Sequence, residues 1–168
     1  IGKADLTNTL SISNSQSCPI IKQGDIVGGA IGYLKCSSND LVSYNNVNIV
    51  QSNNSDIYIK GNNYVGGIFG CIYGGSVSLT GENYIMTEII GNSYVGGLAG
   101  EIEETTFNVG TPLYGKNSTD ISGLQIEANS YIGGIVGNMK SSTLKGVLSL
   151  SPTSGIQSFD DRKASTIC

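Results

Sequence analysis

Glu101, Glu103 and Glu104 form the densest set of acidic side chains in the chain, with Asp160 and Asp161 following near the other end. Paired carboxylates can act as general acid and base, as in polysaccharide-cleaving β-helices, but such enzymes set acids and bases in a column on adjacent coils. No such column is visible in the sequence, and the cluster reads as a solvated turn. The chain contains no His. A Ser-His-Asp or Cys-His arrangement is therefore excluded. The Gly-Gly-x-x-Gly runs lack the Lys and the following helix of a phosphate loop. No segment carries the alternating Asp and terminal Glu of a calcium loop. Cys-x-x-Cys spacing is absent, so no zinc site is expected. No catalytic residue, cofactor or metal is expected, and the chain is read as not an enzyme.

The four cysteines, Cys18, Cys36, Cys71 and Cys168, admit two disulfides in three connectivities. Cys18 and Cys36 are close enough in sequence to staple one coil, although Cys36 also fits a buried thiol by strand parity. Cys71 has outward parity, and Cys168 is placed to bridge to another chain. Two sequons mark Asn53 and Asn117 as glycosylation sites. Cysteines, sequons and a charged content of 13 % favour a secreted or cell-surface protein. A chain opening on Ile1 instead of Met reads as a piece excised from a longer product, with any targeting segment gone. The formal charge of −4, with no basic patch, argues against a nucleic-acid partner. No run of 18 apolar residues is present, so no membrane span is expected.

What must position these groups is a repeat. Asn63-Tyr64-Val65-Gly66-Gly67-Ile68-Phe69-Gly70 returns as Ser93-Tyr94-Val95-Gly96-Gly97-Leu98-Ala99-Gly100, and again as Ser130-Tyr131-Ile132-Gly133-Gly134-Ile135-Val136-Gly137. Asp25-Ile26-Val27-Gly28-Gly29-Ala30-Ile31-Gly32 is a degenerate first copy. The copies lie 38, 30 and 37 residues apart. Spacings of this size indicate stacked units. Ile59, Ile89 and Ile126 precede the Tyr by five residues, and Asn62, Asn92 and Asn129 precede it by two. Alternating segments, among them Ser76–Thr80, 56–60, 124–127 and 147–150, have the length and the Gly, Asn and Ser boundaries of strands.

About three short strands per period cannot bury an apolar face alone, but stacked coils can. The expected fold is all-β: a parallel β-helix, or β-solenoid, of about four coils built on Tyr-Val-Gly-Gly-Ile/Leu-x-Gly. The single domain spans 1–168, with 1–20 an edge segment, 21–150 the repeats and 151–168 a tail. A propeller or sandwich is the rival, but a blade needs about 40 residues. Tyr64, Tyr94 and Tyr131 should stack, as should Asn62, Asn92 and Asn129.

Strict alternation from the Tyr puts Tyr, Gly and Ile or Leu on the core face. It leaves Val27, Ile31, Val65, Phe69, Val95, Ala99, Ile132 and Val136 as an exposed apolar stripe. Such a stripe marks an assembly surface, unless the tail covers it.

Tyr-Val-Gly-Gly-Leu-Ala-Gly resembles the GLUG motif, a glycine-leucine-x-glycine repeat of bacterial surface and secreted proteins. These include non-catalytic regions of some immunoglobulin A peptidases and filamentous adhesins. The resemblance covers roughly residues 24–150 and is strongest at Gly97-Leu98-Ala99-Gly100. Two other copies put Ile for the Leu, and the first puts Ala. The resemblance implies an extracellular β-rich module and transfers no catalytic residue.

The first functional expectation is an extracellular structural protein that self-assembles into a filament, fibre or coat. The alternative is an adhesin or glycan-binding module of a larger surface protein, with Tyr33, Tyr58 and Tyr73 stacking on sugars. A polysaccharide-active β-helix enzyme ranks third.

Overall fold

Short polar turns, with Gly or Asn at most of them, cut the sequence into strands of two to ten residues. The structure is a computed structural model and describes residues 1–5, 9–17, 24–50, 58–80, 83–86, 88–109, 119–120, 125–146, 148–149, 155–158 and 164–165. Cys18, Cys168, Asn53 and Asn117 lie outside the described residues.

The chain winds as successive coils. A first half-coil holds β1 (Lys3–Asp5) and β2 (Thr9–Ser17). Coil 1 holds β3 (Val27–Gly28), β4 (Ile31–Lys35) and the long β5 (Leu41–Val50). Coil 2 holds β6 (Tyr58–Lys60), β7 (Asn63–Gly66), β8 (Phe69–Tyr73), β9 (Ser76–Thr80) and β10 (Asn83–Met86). Coil 3 repeats this with β11 (Glu88–Ile90), β12 (Ser93–Gly96), β13 (Ala99–Glu103), β14 (Thr106–Val109) and β15 (Thr119–Asp120). Coil 4 holds β16 (Gln125–Ala128), β17 (Ser130–Gly133), β18 (Val136–Lys140), β19 (Thr143–Gly146) and β20 (Leu148–Ser149). A last half-coil holds β21 (Gly155–Ser158) and β22 (Ala164–Ser165).

Equivalent strands of successive coils pair in parallel and form four sheets. In coil order, the first sheet is β6-β11-β16-β21 and the second is β3-β7-β12-β17-β22. The third is β1-β4-β8-β13-β18, and the fourth carries the remaining strands. This is the expected parallel β-solenoid. The expected strands at 76–80, 124–127 and 147–150 appear as β9, β16 and β20, and β6 ends the segment at 56–60.

Register turns sequence repetition into side-chain columns. Ile59, Ile89 and Ile126 align in the first sheet, and all three are buried. Leu34, Ile72 and Ile102 align in the third, with Met139 packed against them. Each fully buried aliphatic side chain contributes about 1.5–3 kcal/mol. Bulk alternates between columns. Phe69 aligns with the small Ala99, while Phe107 aligns with the smaller Val77. Tyr44, Phe69 and Phe107 thus form an edge-to-face chain through the core, with ring centroids 5.0 and 6.0 Å apart.

The expected assembly stripe is overturned. Val27, Ile31, Val65, Phe69, Val95, Ala99, Ile132 and Val136 are all buried in the core. The tyrosines instead point outward: Tyr64 and Tyr94 are half-buried and Tyr131 is 43 % exposed. The phrase is not one strand. It is two strands of different sheets meeting at the Gly-Gly corner, so alternation cannot be carried through it. After the corner, Ile68 and Phe69 are both buried. A Cβ at Gly66 would collide with the Phe69 carbonyl and lie 2.7 Å from the Ala99 Cα, so this position requires glycine.

Nor does the tail lie over a stripe. Its described residues add strands to the stack: β21 pairs with β16, aligning Ile156 with Ile126, and β22 pairs with β17. At the other end β1 pairs with β4 and β2 with β5.

Candidate functional site

The outer surface of the third sheet gathers the groups with chemical potential. Strand geometry places alternate residues of β8, β13 and β18 outward, so each coil contributes two. One column runs Lys3, Tyr33, Cys71, Glu101, Asn138. The next runs Asp5, Lys35, Tyr73, Glu103, Lys140.

The tyrosines of the second sheet form a ladder of their own. Tyr64 stacks on Tyr94 at 5.1 Å and 7°, and Tyr94 on Tyr131 at 4.8 Å and 18°. All three hold left-handed backbone angles, φ 49°, 54° and 53°. A bulky residue there costs on the order of 1 kcal/mol. The three-fold recurrence means that ring stacking and the tight corner offset that cost in each coil. Burial, followed by the neighbouring Glu101 charge, raises the Tyr64 pKa.

Glu101 is only 4 % exposed. The Asn138 amide donates to its Oε2 at 2.6 Å, and Lys140 Nζ lies 3.0 Å from the same oxygen. Lys140 also reaches Glu103 at 3.8 Å. A buried carboxylate persists only when paired and hydrogen-bonded, and here both partners come from the next coil. The bond from Lys140 to Glu101 raises the Lys140 pKa. The acidic cluster is therefore not a uniformly solvated turn. Glu101 stitches coil 3 to coil 4, Glu103 is half-buried, and Glu104 is exposed at a left-handed corner with φ 51°. Glu104 bonds Tyr73 and raises its pKa.

Cys36 and Cys71 are free thiols, not disulfides, and both are buried. The buried thiol expected at Cys36 is found. Cys71 keeps outward parity, yet its neighbours cover it. Burial and then Asp40 push the Cys36 pKa up to about 11. Burial, then Glu101 and Glu103, push Cys71 up to about 12. Neither is a reactive thiolate at neutral pH. Among the described residues no three potential metal ligands converge, and no helix is long and apolar enough to cross a membrane.

The expected asparagine ladder forms in part. Asn129 Nδ2 donates to Asn92 Oδ1 at 2.7 Å, whereas Asn62 Nδ2 turns to Asp25 Oδ1 at 3.0 Å. Asp25 also accepts from Asn63 at 2.8 Å and ends the polar ladder at coil 1. Tyr33, Tyr58 and Tyr73, expected as exposed platforms, are half-buried. The sequence reading missed Asn138 and Lys140 as partners of Glu101. The signal was present, because both fall 37 residues after Glu101 and Glu103 at the same template positions.

Comparison of the chain with protein-family models, with curated proteins and with solved structures finds no match to any of the three.

Proposed function

We propose that the chain is a structural protein, a β-solenoid subunit or segment that self-assembles end to end into a filament, fibre or surface coat outside the cell. The observation that carries this reading is the parallel, in-register pairing of coil upon coil, with β1 and β3 as edge strands at one end and β18 and β22 at the other. Among the described residues these outer edges are unpaired. Unpaired strand edges recruit further strands, and a head-to-tail contact that does not close generates filaments. With the apolar stripe buried, assembly runs through the ends and not the flank.

The outward polar groups support a scaffold more than a catalyst. Glu101 is held by Asn138 and Lys140, and Cys71 is held neutral. The reading therefore includes no reaction, cofactor or metal. The extracellular placement rests on the sequons at Asn53 and Asn117 and on the resemblance to GLUG repeats. The adhesin alternative gains little from the tyrosine ladder. Stacked rings give their faces to each other and present edges, while a sugar needs a face.

Analytical ultracentrifugation over a wide concentration range tests the reading. Growth into open-ended species supports it, and a single monomeric species at all concentrations contradicts it.

A further inference from the structure

We propose that Tyr64, Tyr94 and Tyr131 form a site of oxidative cross-linking, at which a one-electron oxidant joins neighbouring rings as dityrosine and staples successive coils covalently. The site lies within a single copy of the chain and stands apart from end-to-end assembly.

The ladder supplies the geometry that ring coupling needs. Ring centroids lie 5.1 Å apart from Tyr64 to Tyr94 and 4.8 Å apart from Tyr94 to Tyr131. In-register pairs flank the rings on both sides, Asn63, Ser93 and Ser130 before them and Val65, Val95 and Ile132 after them. All three tyrosines share the same left-handed backbone angle, so each side chain leaves its corner in the same direction. The rings are thus held in contact, and coupling requires no encounter between separate reactants. Tyr131 is 43 % exposed, which opens the ladder to a dissolved oxidant.

Other tyrosines stand in columns of a different kind. Tyr33 aligns with Cys71, Tyr58 with Glu88, Tyr73 with Lys35 and Glu103, and the buried Tyr44 with Leu79. None of these four meets a second tyrosine in its column.

Each coupling ring gives up one electron and its hydroxyl proton, leaving a phenoxyl radical with spin on the carbons beside the C–O bond. A carbon–carbon bond then forms between one Cε of each ring. The hydrogens on those two carbons move to the oxygens and restore both hydroxyls. Each link therefore loses two electrons and two protons. Two equivalents of a one-electron oxidant take the electrons, or one hydrogen peroxide takes electrons and protons through a peroxidase and leaves as two waters. Tyr94 and Tyr131, the closer pair and the one that reaches solvent, couple first.

The test treats the folded, full-length protein with photo-oxidised tris(bipyridyl)ruthenium and persulfate, a small one-electron oxidant that needs no docking surface. The expected product lacks two hydrogen atoms and joins tryptic peptide 61–116 to peptide 117–140 through Tyr94 and Tyr131. In a mixture of isotopically labelled and unlabelled copies, both halves of the linked peptide carry the same label. Tyr94→Phe keeps a stacked ring without a hydroxyl and leaves Tyr64 and Tyr131 two coils apart. Dityrosine fluorescence should fall about tenfold or more in that variant, because the ordered contact is lost, and should be unchanged in Tyr33→Phe. Links spread over Tyr33, Tyr58 and Tyr73, a yield unaffected by Tyr94→Phe, or no dityrosine in the folded protein overturns the proposal.

Discussion

Tyr94 stacks on Tyr131 with ring centroids 4.8 Å apart, although both residues hold a positive backbone φ. Two opposing terms therefore meet at one residue: stacking on both faces of Tyr94, and left-handed strain. Each stacked pair contributes about 0.5–1.5 kcal/mol. Tyr94→Leu keeps the strain and loses both stacks, so it should destabilise by about 1–3 kcal/mol. Tyr94→Asn loses the stacks but tolerates the angle, and should cost less. Denaturant melts of the two variants check the order.

Tyr44 is fully buried, and its hydroxyl has no hydrogen-bond partner among the described residues. Leaving such a group unsatisfied costs about 1–3 kcal/mol. Tyr44→Phe keeps the edge contact with Phe69 and should raise stability by about 1 kcal/mol. A melt no higher than that of the wild type contradicts this account of the core.

The corner glycines should tolerate nothing larger. Gly66→Ala forces a methyl group against the Phe69 carbonyl and the Ala99 backbone of the next coil. A loss of about 3 kcal/mol or more is expected. Gly2→Ala, where a Cβ meets nothing, should be neutral and serves as the control.

Both buried thiols have pKa values raised by burial, Cys36 to about 11 and Cys71 to about 12. In the unfolded chain they ionise near the ordinary value of 9.0. Above that pH the unfolded state binds fewer protons than the native state, so stability falls with rising pH. The contribution is whole below about pH 9 and is lost progressively toward pH 11–12. Cys36→Ala with Cys71→Ala should flatten the onset of this alkaline slope. In the native protein at neutral pH both thiols should react slowly with disulfide reagents, and rapidly once unfolded.

The core column Ile59, Ile89 and Ile126 was legible because its period survives in the sequence and each Ile sits inside one strand. So was the stacking of Tyr64, Tyr94 and Tyr131, which needs only equal spacing. The side of the sheet they occupy was not legible. Period-two alternation presumes a continuous strand, whereas Tyr94 adopts a left-handed angle and Gly96-Gly97 turns the chain into another sheet. Leu98 and Ala99 consequently both face inward although they are neighbours in one written run. The bond from Asn138 to Glu101 was hidden for a different reason. It depends on template positions that hold Cys, Glu and Asn in successive coils, so no repeated residue marks the column.

The central claim is that coils continue from one copy into the next. Electron microscopy of the concentrated protein tests it most directly. The expected result is filaments one solenoid wide, with strands perpendicular to the long axis at an unbroken spacing of about 4.8 Å. Monodisperse particles one copy long, or fibres whose strands do not continue the four sheets, would contradict it.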